Sequence, residues 1–311
     1  MSGVSDGVDL RVICGPTGAG KSAVALWLAR RYRCAIINAD SRQVYRGFDI
    51  GTSKPTPGDR AAVPHYGLDV VPPTERYSAA AWAGAAARWI EEARTKGLTP
   101  LIVGGTGLYI RALIAGVSPE PTRDPVRRAA LERFLGDLDT PQLRRWATVL
   151  DPARASLGRT QLIRAIEVAV LGGIRISAVF AADVQRPPWR PDYLVVDRGA
   201  VLAARNIERT DAMIAAGWAD EVAGLMETVP AEAPAWTSTG YGQVRRYVSG
   251  SLALADARDA IIIETRQYAK RQRTWFRHQL APERVTLVNV ENEGWRERVD
   301  QWWTSLAAVG E

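Results

Sequence analysis

Gly15-Pro16-Thr17-Gly18-Ala19-Gly20-Lys21-Ser22 fits the pattern G-x-x-x-x-G-K-[ST] at every fixed position. Upstream, Leu10-Arg11-Val12-Ile13-Cys14 is a short apolar run that reads as a buried strand, and downstream Ser22 to Arg30 reads as a helix. Strand, glycine-rich turn and helix in that order make an anion cradle. The glycines let successive backbone N–H groups turn inward, and the helix N-terminus adds a favourable field. Lys21 supplies a cation and the Ser22 hydroxyl a candidate ligand for Mg2+. The loop predicts a bound diphosphate. It does not say which diphosphate, or whether a phosphoryl group moves.

Working outward, Ala35-Ile36-Ile37-Asn38 and Pro100-Leu101-Ile102-Val103 read as further buried strands, with a helix over Ala79 to Lys96 between them. Short apolar strands alternating with helices predict an α/β fold, a P-loop NTPase-like parallel sheet flanked by helices. Ligands of such sheets lie beyond the carboxyl ends of the strands. Ser22, Asp40 and Thr106 all fall at such ends and are expected to converge. Asp40 there could take a proton from a substrate, hold a metal-bound water, or merely cap a turn. The strand before Gly104-Gly105-Thr106-Gly107 lacks the terminal acid of a motor or switch NTPase. From Ser118-Pro119-Glu120-Pro121 to about Arg190 the chain reads as helical and charged. An all-helical insertion over 119–190 is therefore expected within a core made of 1–118 and 191–311. Tyr193 to Asp197 returns to the sheet, and Val285 to Val288 reads as a late strand.

The 311 residues carry a net charge of +6 with 47% hydrophobic residues, an ordinary globular composition with a basic balance that suits a polyanionic partner. Lysine occurs only at Lys21, Lys54, Lys96 and Lys270, so arginine placement matters more than arginine number. On a helix, Arg266, Lys270, Arg273 and Arg277 form one stripe, which phosphates of a nucleic acid would relieve. Arg205 and Arg209 also share a helix face, as a diphosphate clamp or as surface ion pairs with Glu208 or Asp211. Cys14 and Cys34 sit in apolar runs, and His65 and His278 are isolated, which suggests neither a disulfide scaffold nor a metal cage. With no apolar run long enough for a membrane span and no basic-then-apolar leader, the chain reads as cytoplasmic.

Together these residues resemble the tRNA dimethylallyltransferases, also called tRNA isopentenyltransferases. The resemblance rests on the phosphate loop, Asp40-Ser41 with Val44-Tyr45, and above all Asp49-Ile50-Gly51-Thr52-Ser53-Lys54-Pro55. It extends through Val103 to Tyr109, Arg164-Ala165-Ile166-Glu167-Val168, Arg205 and Arg209 with Met213, and Ala269-Lys270-Arg271-Gln272. It implies transfer of a dimethylallyl group from dimethylallyl diphosphate to N6 of adenosine-37, just 3′ of a tRNA anticodon, by a monomer using Mg2+. Asp40, Thr17 and Arg209 would be catalytic. Gly15 to Ser22 with Arg205 and Arg209 would hold the diphosphate. Asp40, Ser41, Arg42, Gln43, Thr106, Arg128, Gln161, Leu162, Ile163, Arg164, Ala165, Arg266, Lys270 and Arg273 would meet tRNA, the insertion gripping the anticodon stem-loop. Gln161 and Gly242 stand where such enzymes usually carry basic residues. The competing readings are a small-molecule kinase of the same loop class, an RNA-binding protein with an idle loop, and a prenyltransferase acting on free adenylate.

Overall fold

The computed structural model describes residues 8–116, 124–181 and 187–305. The chain divides into two units, Met1–Ile114 with Pro187–Glu311, and Ala115–Arg186.

The first unit is built on a six-stranded sheet. Its elements are β1 (Val8–Cys14), α1 (Lys21–Tyr32), β2 (Cys34–Asn38), α2 (Pro57–Ala62), β3 (His65–Tyr66), α3 (Ala79–Thr95), β4 (Thr99–Gly104) and α4 (Gly107–Ala115). The second unit carries α5 (Pro125–Asp137), α6 (Thr140–Leu150), α7 (Arg159–Gly172) and α8 (Ile176–Ala181). The chain then returns through β5 (Trp189–Asp197), α9 (Leu202–Ala215), α10 (Trp218–Thr228), α11 (Tyr241–Val248), α12 (Leu254–Gln279), β6 (Val285–Asn289) and α13 (Trp295–Thr304).

The strand order is β3-β2-β4-β1-β5-β6 and every pair is parallel. Alternation along each strand explains the apolar runs. Leu10, Val12, Cys14, Ile37, Ile102, Tyr193 and Val195 face one core, while Ile13, Ile36, Leu101, Val103, Leu194 and Val196 face the other. α3, α10 and α11 cover the first face; α1 and α13 cover the second. Arg11 is the exception on the second face. Its guanidinium lies 4.6 Å from the Trp303 ring centroid and donates to the Trp302 carbonyl at 2.7 Å, so burial lowers its pKa without leaving the charge unpartnered. β1 sits between β4 and β5, so the phosphate loop leaves the sheet at its switch point.

The second unit contains helices and, among its described residues, no strand. Its core is Leu135, Leu143, Ala147, Leu162 and Ile166. Asp139 and Gln142 form a reciprocal cap at the start of α6. Buried Asp151 accepts from Ser177 N and Ser177 Oγ at 2.9 and 2.6 Å, fixing the start of α8. The boundary expected at 190 falls inside β5, because Trp189-Arg190-Pro191-Asp192 pairs with β1 despite its polar and proline residues. The expected boundary at Ser118 to Pro121 lies outside the described residues. β3 had no sequence signal, being two residues long and paired only with β2.

Candidate active site

The carboxyl ends of β1, β2, β4 and β5 deliver the phosphate loop, Asp40, Gly104 to Thr106, and Arg198 to one end of the sheet. The loop turns at once after β1. Gly15 has φ 141°, and a Cβ there would stand 2.1 Å from the Val196 carbonyl oxygen, so only glycine lets the loop lie against β5. Lys21 Nζ donates to the Pro16 carbonyl at 2.8 Å, folding back across the cradle. Burial lowers Lys21 to about 8, with Asp40 opposing the shift and Arg209 adding to it. Ser22 is exposed in the first turn of α1, whose first turn carries no acidic residue.

Arg209 on α9 reaches the loop. Its Nη1 donates to Thr17 Oγ1 at 2.9 Å, and its Nε and Nη2 donate to Ser53 Oγ at 3.2 and 2.9 Å. Burial lowers its pKa and Asp40 opposes this. Ser53 sits at φ 51°, unusual for a residue with a side chain. The loop around it is held by Lys54, whose side chain is 1% exposed. Lys54 Nζ donates to the Tyr45 carbonyl, Asp49 Oδ1 and Asp69 Oδ1 at 2.5, 2.6 and 2.5 Å. Gln43 Nε2 adds bonds to the Thr52 and Ser53 carbonyls at 2.9 and 3.0 Å. The 49–55 run thus holds Ser53 against the same guanidinium that meets Thr17.

Asp40 begins a tight turn in which its Oδ1 accepts from Arg42 N at 2.8 Å. Thr106 supports the same turn by accepting from Ser41 N at 3.0 Å, and its own N–H donates to the Ala39 carbonyl at 3.1 Å. Thr17, Asp40, Arg42, Arg209, Met213, Trp218 and Tyr268 line one cavity. Burial raises Tyr268 to about 12, Asp40 pushing the same way, so it stays a neutral hydroxyl.

Some functional residues escaped the sequence reading. Gln272 on α12 is 6% exposed. It accepts from Thr17 N at 2.8 Å and donates to the Gly105 carbonyl at 2.8 Å, tying the phosphate loop to the end of β4. Arg198 Nη2 lies 3.1 Å from where a Cβ on Gly20 would stand, and its Nε is buried without a partner. Ser53 and Gln272 both lie in runs that carry the family resemblance; periodicity gives no signal for either. At the end of β4, a Cβ on Gly104 would stand 2.1 Å from the Ala39 carbonyl oxygen, and one on Gly105 2.4 Å from Gln272 Nε2.

Other expected residues are engaged elsewhere. Arg205 is exposed and pairs with Glu208 and Glu291 at 2.8 and 3.5 Å, so of the two helix-face arginines only Arg209 meets the loop. Arg273 pairs with Asp197 and donates to the Gly199 carbonyl at 2.7 Å, which removes it from the stripe; Arg266, Lys270 and Arg277 remain exposed. In the helical unit, Leu162 and Ala165 are fully buried and offer no side chain to a partner. Gln161 caps α7 through its bond from Gly158 N at 3.1 Å. Arg164 and Arg128 both pair with buried Glu167, at 2.8 and 2.6 Å. Ile163 is half-buried against the unit's core. Among the described residues, no group of three or more His, Cys, Asp or Glu side chains could hold a metal ion, and no helix is long and apolar enough to cross a membrane.

Comparison with known proteins agrees along most of the chain. The family model described as IPP transferase matches residues 43–279, and that described as isopentenyl transferase matches residues 8–62. A tRNA dimethylallyltransferase of Bordetella pertussis is 41% identical over 302 residues, covering 93% of this chain and 96% of that protein. The one from Acaryochloris marina is 40% identical over 278 residues, covering 86% and 89%. Among solved structures, a tRNA isopentenylpyrophosphate transferase of Bacillus halodurans aligns with TM-score 0.69 and 30% identity, covering 96% of each chain. A eukaryotic dimethylallyltransferase acting on tRNA aligns with TM-score 0.79 at 23% identity, covering 96% of this chain and 78% of that one, which speaks to the fold alone. The phosphate loop, the run that seats Arg209 and the matches over most of its length agree: this chain belongs to the IPP transferase family.

Proposed function

We propose that the protein transfers a dimethylallyl group from dimethylallyl diphosphate to N6 of adenosine-37 in tRNA, releasing diphosphate. The observation that carries this reading is that Asp40, Thr17 and Arg209 line one cavity beside the phosphate loop. The leaving diphosphate would sit at the loop and the attacking amine at Asp40, with the transferred carbon between them. The C1–O bond to diphosphate breaks, the C1–N6 bond forms, and the N6 proton passes to Asp40.

The backbone N–H groups of Gly18 to Ser22 and Lys21 take the diphosphate, Lys21 releasing the Pro16 carbonyl. Arg209 and the Thr17 hydroxyl meet charge as it develops on the leaving oxygen. Burial of the guanidinium strengthens that interaction. Mg2+ fits a donor set of one protein hydroxyl, Ser22, because that ion keeps waters and binds chiefly through substrate phosphates. It would neutralise diphosphate charge when bound. Adenosine must leave its stack to reach Asp40. Exposed Arg266 and Lys270 would meet tRNA phosphates, and the helical unit, 115–186, would grip the anticodon stem-loop.

The test mixes purified protein, Mg2+ and labelled dimethylallyl diphosphate with tRNA lacking the modification. Label is expected in prenylated adenosine and is expected to vanish in Asp40→Ala. ATP consumption without transfer would instead support the kinase reading.

A further inference from the structure

Two cavities of the first unit share a wall. The reaction cavity, with about 50 Å3 of free space, is lined by Thr17, Asp40, Arg42 and Arg209 and also by the apolar side chains of Met213, Trp218 and Ile261. A second, smaller cavity of about 10 Å3 lies beyond Trp218 and Ile261. Its remaining lining is chiefly apolar, including Ile214, Ala219, Val244, Leu254 and Ala257. Trp218 and Ile261 belong to both linings. They form a partition between a cavity with charged lining residues and a smaller one with a chiefly apolar lining.

The partition is fixed in place. Trp218 is 1% exposed and opens α10 immediately after Gly217. A Cβ on Gly51 or Gly240 would stand 2.3 or 2.4 Å from the indole, so the ring fills the room those glycines leave. Tyr241 meets it edge to face with centroids 5.3 Å apart, and the Tyr241 hydroxyl donates to Glu221 at 2.6 Å. A ring held on several sides cannot swing away to admit a longer chain.

We propose that Trp218, with Ile261, sets the length of the prenyl group that the enzyme accepts, by closing the alkyl end of the reaction cavity. The inference rests on the prenyl-transfer reading and adds the donor's length limit. The charged lining residues suit the purine and the leaving diphosphate, which leaves the apolar Met213, Trp218 and Ile261 for the five-carbon tail. A ten-carbon donor would have to pass the indole. Shortening either wall residue would thin the partition and add the volume of the deleted side chain to the apolar end of the reaction cavity.

The experiment measures transfer of dimethylallyl and geranyl groups, each from its diphosphate, to unmodified tRNA by wild type, Trp218→Leu and Ile261→Ala. Thermal melting checks that each variant is folded; Ile261→Ala carries the test if Trp218→Leu does not fold. Wild type is expected to prefer the five-carbon donor by at least about 100-fold in kcat/KM, and each variant to narrow that ratio by about 10-fold or more. A rate loss shared equally by both donors would mean the two residues act only structurally and would overturn the proposal. So would ready geranyl transfer by wild type, or an unchanged ratio in folded variants that still move dimethylallyl, and in both cases the prenyl-transfer reading would stand. Absence of transfer from either donor by wild type would overturn that reading and the inference with it.

Discussion

Replacing Gln272 with alanine tests whether α12 organises the phosphate loop. The Gln272 side chain bridges Thr17 N–H and the Gly105 carbonyl, at 2.8 Å to each. Gln272→Ala leaves both backbone groups without that partner, the Gly105 carbonyl in a buried position and Thr17 N–H in a half-buried one. A buried polar group left unsatisfied costs roughly 1–3 kcal/mol, so the pair predicts a loss of about 3 kcal/mol. For a unit of this size that lowers the melting temperature by roughly 6–12 °C. The catalytic effect is separate. Thr17 presents its hydroxyl to Arg209 from a backbone that Gln272 anchors, and a shift near 1 Å at a reacting group can cost about 100-fold in rate. A fall in kcat of about 10- to 100-fold is therefore expected, with tRNA affinity little changed. Gln272→Glu sharpens the test. It keeps the acceptor for Thr17 N–H but sets a carboxylate oxygen against the Gly105 carbonyl, so it is expected to be no more stable than the alanine variant. Calorimetric melting and single-turnover transfer read the two effects independently. A Gln272→Ala protein that melts within about 1 °C of wild type and turns over at the wild-type rate would refute the reasoning.

Arg209→Ala should reduce kcat by about 100- to 1,000-fold, as loss of a donor aimed at developing charge does elsewhere, and Arg209→Lys should recover little, because lysine cannot reach Thr17 and Ser53 together. Ser53→Ala should cost less, about 10-fold, read in the same transfer assay, since Thr17 still engages the guanidinium. The acid limb of stability should trace Asp69. Burial pushes its pKa up, but Lys54 and Arg60 outweigh this and hold it below the ordinary 3.8. A depressed carboxylate contributes stability that is present above the unfolded pKa and is lost as pH falls through the folded one. Urea melts of Lys54→Met should therefore vary less with pH below about 4 than those of wild type. Finally, Arg266→Glu with Lys270→Glu should weaken tRNA binding and flatten its salt dependence by roughly one unit of log–log slope per phosphate contact removed; an unchanged slope would place the tRNA elsewhere.

Much of the sheet was legible because β1, β2 and β4 are buried on both faces, so their apolar runs end close to where the strands end. The phosphate loop was legible because a fixed geometry demands fixed residue types. β5 was harder to delimit. Its first half carries Arg190 and Pro191, and it is a strand because β1 offers it a partner, which is information held elsewhere in the chain. Ionic pairing was the least readable property. Helix spacing places Arg205 and Arg209 on one face and Arg266, Lys270 and Arg273 on another, yet which guanidinium is free depends on Glu291, Asp197 and Ser53. Those groups are distant in sequence. The same holds for Leu162 and Ala165, which lie in a run matching the family yet serve the packing of the helical unit.

The two glycines at the end of β4 bear on what this site could become. Nucleotide hydrolysis on such a sheet would call for an acid there, and a side chain at Gly104 would collide with the backbone that precedes Asp40, while one at Gly105 would displace Gln272. Either change would disturb the turn at Asp40 or the Gln272 bridge between Thr17 and Gly105. An acid introduced at either glycine therefore meets a clash at the position where it would be needed.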